Sequence, residues 1–181
     1  IKIQVPANMR KYYESKTLRN FAMYTTIIID KTDITNLDNV LSIIKNQMKE
    51  KANKESLDAT INYTSKLVKS LRYIPLFIKR PIARIVYGYL GDKVLTTVLS
   101  NLGNIDIPTS MKNLVEKMDF SLGTGITNKA IFSLITCNDT VTLSISKLTL
   151  NSSVENSIYN LIKQNNINVE VYGSEIYGSK K

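Results

Sequence analysis

Acid–base and nucleophilic chemistry in this chain has to come from 15 carboxylates, 10 tyrosines, lysine amines, serine and threonine hydroxyls and one thiol, because the 181 residues contain no histidine. That removes Ser-His-Asp triads, Cys-His pairs, histidine metal sites and an imidazole general base. Cys137 is the single cysteine, so an intrachain disulfide and a cysteine metal cluster are both excluded. It ends "KAIFSLITCND", a strand-like run with a turn after it, and has no base to activate it; it reads as a strand residue. Neither G-x-x-x-x-G-K-[ST] nor G-x-G-x-x-G occurs, and "GTG" at 123–125 reads as a turn. Asp38, Asp58 and Glu155 fall near expected helix starts, where the helix dipole favours a carboxylate. The other carboxylates are scattered, and Asp119 is the candidate beside a glycine turn. The residues offer no catalytic set and no metal-ligand set.

The cations are more suggestive. Lys and Arg number 24 against 15 acids, a net charge of +9, which admits acidic partners such as nucleic acid, CoA phosphates or anionic lipid. Most lysines are dispersed and belong on solvated faces. "RYIPLFIKRPIARIVYGYLG" instead sets Arg72, Lys79, Arg80 and Arg84 among aliphatic and aromatic residues. Three readings fit it: an interfacial helix on anionic lipid, a basic aromatic surface for nucleic acid, or a bent helix that buries Ile82, Ile85, Val86 and Leu90 while its cations reach solvent.

The elements that must position these residues follow from periodicity. Ile1, Ile3 and Val5 alternate with Lys2 and Gln4 as a strand, which Pro6 is expected to end. A polar connection leads to "FAMYTTIIID", a second strand. Thr35 and Asp38 resemble a capping box ahead of a helix over 37–51. Apolar spacing from Leu57 to Leu71 gives a second helix over 55–72. Pro81 suits the first turn of a third helix running to Leu90, with Gly91 as its stop. "KVLTTVLSNLGN" is a strand; "MKNLVEKM" is ambiguous; "KAIFSLITCND" and "TVTLSISKLTL" form a hairpin turning at Asn138-Asp139. "SSVENSIYNLIKQNN" is a closing helix and "INVEVYG" a short last strand or tail. The order implies a single α/β domain over 1–181, a two-layer sandwich with helices packed on one face of a mixed sheet. No run of about 18 apolar residues and no signal peptide is visible, which points to the cytoplasm without a stable membrane anchor. The wealth of Asn, Ile and Lys suggests an AT-rich bacterial source.

"VPANMRKYYESKTLRNFAMYTTIII" resembles a segment of the chloramphenicol acetyltransferase-like superfamily, which includes peptide-synthetase condensation domains and bacterial alcohol O-acetyltransferases. Their second half carries a strand, Pro-x-Asn-x-Arg, a loop and an Asn-Phe step into a strand; Pro6, Asn8, Arg10, Asn20 and Phe21 hold those places here. "MDFSLGTGITNKAIFSLITCNDTVTLSIS" is similar to the alcohol acetyltransferase branch, with Asp119, Phe120 and Gly123 in the matching turn. The likeness covers nearly the whole chain.

The resemblance implies the C-terminal half of a CoA- or carrier-dependent acyltransferase, opening inside a strand because the N-terminal catalytic half lies elsewhere. That half bears the His-His-x-x-x-Asp-Gly motif of such enzymes, so this chain alone is expected to be inactive, with no catalytic residue, no tightly bound cofactor and an acyl-CoA or acyl-carrier thioester as the whole protein's co-substrate. Its expected role is one wall of the substrate tunnel, with Asn8, Arg10, Asn20, Asp119 and Gly123 lining it or bracing loops; Arg10 is either a buried structural cation that braces its loop, a contact to a donor phosphate, or a group holding the catalytic loop of the missing half. Expected partners are the missing half and the acyl-CoA or carrier protein rather than nucleic acid, with self-association of the isolated half through an exposed patch or sheet edge. The competing reading is a non-catalytic binding or assembly module on the same fold.

Overall fold

The computed structural model describes residues 1–17, 20–90, 95–124 and 130–173, with side chains for all of these but 87–90. The chain divides into two compact units, Ile1–Leu148 and Thr149–Lys181. The first holds a mixed five-stranded sheet: β1 (Lys2–Asn8), β2 (Ala22–Ile28), β3 (Thr97–Asn104), β4 (Ala130–Cys137) and β5 (Thr140–Lys147), in spatial order β2-β1-β3-β4-β5. Three helices lie between β2 and β3: α1 (Leu37–Lys51), α2 (Lys54–Leu71) and α3 (Leu76–Leu90). The second unit contributes α4 (Ser153–Gln164), and residues 167–173 form no strand. The α/β class expected from the element order is what the chain adopts.

Two antiparallel pairs, β1–β2 and β4–β5, flank the central β3, which runs parallel to β1 and to β4. Pro6 does not end β1; it sits inside the strand opposite Tyr24. The odd residues of β1 bond to β2, while the even ones face β3, where Lys2 accepts from Thr96 N–H. The β1–β3 register stops at Gln4 and Val98, so the donor that Pro6 lacks has no ladder to serve. Between Asn101 and Asn104 the β3–β4 register shifts. Gly103 makes that irregularity at φ +74, its N–H bonded to Asn101 Oδ1 at 2.8 Å. Asn138 turns the β4–β5 hairpin at φ 52.

Both faces of the sheet are used. Ile3, Val5, Thr25 and Ile27 share one face by their pairings, and α1 and α2 pack against β2 with Ile27 and Leu57 fully buried. Burying an aliphatic side chain of this size stabilises by about 2 kcal/mol. On β4, every odd residue from Ile131 to Cys137 is buried, and these point to the opposite face from Ile3 and Ile27 by the same registers. The ambiguous stretch before β4 forms no regular element beyond a 3-10 turn at Thr109–Met111. It is nevertheless tied down: Ile107 is buried, Ser133 Oγ donates to Phe120 C=O at 2.7 Å, and Asn138 Nδ2 donates to Val115 C=O.

Local chemistry sets the helix ends. Asn36, not Thr35, caps α1 by accepting from Asn39 N–H at 2.8 Å, and Asn53 caps α2 through Ser56 N–H. Pro75, not Pro81, precedes the third helix; its carbonyl accepts from Ile78 and Lys79 N–H, and Pro81 lies inside α3. Gly91 falls outside the described residues. Ile82, Ile85 and Val86, expected in the core, are exposed.

Candidate functional site

The β1–β2 connection is built around its polar side chains. Asn8 Oδ1 accepts from Arg10 N–H at 3.0 Å, starting a 3-10 turn at Met9–Lys11. Met9 within that turn is buried, an anchor that the polar composition of the loop concealed. Arg10 is exposed rather than buried; its Nη2 donates to Thr17 C=O at 2.7 Å and its guanidinium lies 5.8 Å from the Phe21 ring centre. It braces the loop by spanning it. Asn20 is exposed beside Phe21.

The turn brings Tyr12 and Tyr13 to the helices. Tyr12 Oη donates to Ala52 C=O at 2.9 Å, at the end of α1. Tyr13 Oη donates to Asp58 Oδ1 on α2, with Lys54 Nζ 5.1 Å from the Tyr13 ring centre. The hydrogen bond to Asp58, followed by burial and the carboxylate's charge, pushes the Tyr13 phenol above its ordinary pKa of 10.0. Tyr13 is therefore a hydrogen-bond donor at neutral pH. Asp58, read from sequence as a partner of the helix dipole, is the fifth residue of α2 and serves this tertiary bond instead. Tyr13, Asp58, Phe21, Ile61 and Asn62 line an open depression of about 350 Å³.

Asp119 and Gly123 lie in the segment tied to β4 through Phe120, with β1 and β3 between β4 and β2 in the sheet. Both are exposed. A Cβ on Gly123 would meet nothing within 4 Å, so the site does not demand glycine for space. The five residues thus fall into two groups, Asn8, Arg10 and Asn20 on one connection and Asp119 and Gly123 on another. Tyr13, Asp58, Ile61 and Asn62 were not singled out as site residues, and Tyr13 and Asp58 are 45 positions apart, so no local spacing pairs them.

The depression can bind through Asn62, through a carboxylate already engaged by a phenol, and through an apolar wall, but it holds no nucleophile–base pair. Cys137 is buried at the end of β4. Among the described residues no group of three potential metal ligands occurs, and no helix is long and apolar enough to cross a membrane. Comparison with known proteins found no matching family model, no matching curated protein and no matching solved structure.

Proposed function

We propose that this chain is the C-terminal half of a CoA- or carrier-dependent acyltransferase of the alcohol acetyltransferase type, a cytoplasmic protein in which it forms one wall of the substrate tunnel. The observation that carries this reading is the bonding of residues 6–17 among themselves and to Phe21. Pro6 in β1, the Asn8 cap, the Arg10 span and the Phe21 ring beneath it form one connected strand–turn–strand unit, and these are the residues that bear the resemblance. A wall needs a rigid edge, and this unit is bonded to α1 and α2 through Tyr12 and Tyr13. On this reading the acyl-transfer base is the histidine that the resemblance puts in the other half, and none of the 181 residues is a histidine.

The reading frame preceding Ile1 tests this. A continuous frame of roughly two hundred residues, the size of one ordinary domain, carrying His-His-x-x-x-Asp-Gly is the expected result. A frame without that motif overturns the acyltransferase reading and leaves the non-catalytic assembly module, which the lack of histidine supports equally.

A further inference from the structure

The apolar stripe of α2 starts in the core and ends in solvent. Leu57, Ile61, Val68 and Leu71 lie along one side of the helix by their spacing. Leu57 is 1% exposed and Ile61 half-buried, but Val68 is 61% exposed and Leu71 is exposed too. The helix has run off the sheet while keeping its stripe. Beyond it, residues 72–75 place Tyr73 at 88% exposure, followed by Leu76 and Phe77, the latter 76% exposed. Along α3, Ile78, Ile82 and Ile85 share one side, with Val86 next to them, and all are exposed. Arg80 and Arg84, one turn apart, occupy the other side.

Charge says what covers this arm. Between Asp58 and Asp92 the sequence has no acidic residue, yet it carries Lys66, Lys69, Arg72, Lys79, Arg80 and Arg84. A second copy laid on the same surface would bring the same cations together. An anionic lipid surface accepts both features, taking the apolar side chains below the headgroups and the cations at their level. No described helix is long and apolar enough to span, so the arm lies on the bilayer. We infer that the arm formed by the C-terminal part of α2, residues 72–75 and α3 docks the protein reversibly on anionic membrane surfaces. This surface stands independently of acyl transfer.

Vesicle co-sedimentation of the 181-residue chain tests it, with phosphatidylcholine alone against phosphatidylcholine containing phosphatidylglycerol. The expected result is partition into the anionic vesicles only, weakening as salt is raised. Each cation near such a surface contributes about fivefold, so R80E/R84E is expected to weaken partition by at least about twentyfold. I82D/I85D removes apolar contact and should also abolish partition; all four side chains are exposed, so circular dichroism should be unchanged. Failure to bind anionic vesicles overturns the inference, as does equal binding to neutral ones. So does a dimer in sedimentation velocity that I82D/I85D splits while vesicles are ignored, which would assign the face to a second copy.

Discussion

At the residue scale, the chain's polar side chains do structural work that their types alone do not reveal. Asn8 was readable as a loop-fixing residue, because short amides compete for nearby backbone N–H groups. Its Oδ1 accepts from Arg10 N–H at 3.0 Å, and N8A is expected to cost about 1 kcal/mol in urea unfolding, the usual size of a lost cap. Tyr13 was not readable, since its partner lies on another element. Its raised pKa has a sign that can be checked. Folding favours the protonated phenol, so the stabilisation from this bond is whole below pH 10 and is lost as pH rises through the raised value. The difference in thermal midpoint between the natural chain and Y13F should therefore shrink above pH 10; a difference that stays constant into strong alkali would contradict the assignment. The two described sheet-region glycines should also part company. G103A meets open space but a φ of +74, and should cost about 1 kcal/mol from strain. G123A, in open space without that φ, should be nearly silent.

At the element scale, periodicity located the strands and helices well where it was strong. The helix expected over 37–51 forms as Leu37–Lys51, and the hairpin turns at Asn138 as read. Proline was the weak guide. Pro6 is tolerated because the ladder beside it has ended, which a local pattern cannot report, and Pro81 lies inside α3 rather than at its start. The pattern also hid two tertiary devices. On the outer edge of β2, Gln47 of α1 pairs with both the N–H and the C=O of Ile28, at 3.0 and 2.5 Å, and Lys51 Nζ donates to Thr26 C=O at 3.1 Å. A side-chain amide thus stands in for the next strand and closes an edge that would otherwise recruit one. In sedimentation velocity, Q47L is expected to self-associate more strongly with concentration than the natural chain; identical behaviour of the two would refute the edge role. The second device is Ser133, wholly buried, whose hydroxyl holds Phe120 C=O. S133A orphans that carbonyl and should cost about 2 kcal/mol, read in urea unfolding.

At the scale of the whole molecule, the sequence located the α/β class but not the division into two compact units, because no change of composition marks residue 148. The candidate residues were legible only as two short motifs. The structure puts the first of them into one braced connection and leaves Asp119 and Gly123 on a different segment. In the proposed acyltransferase, this chain shapes a site without supplying its chemistry. A thiol-release assay with acetyl-CoA and a short alcohol measures that claim directly, run on residues 1–181 and on the product of the continuous reading frame. The expected result is release at the buffer rate for residues 1–181 and enzyme-dependent release for the longer product. Release by residues 1–181 that scales with protein concentration would contradict the claim, as would a longer product that releases no thiol.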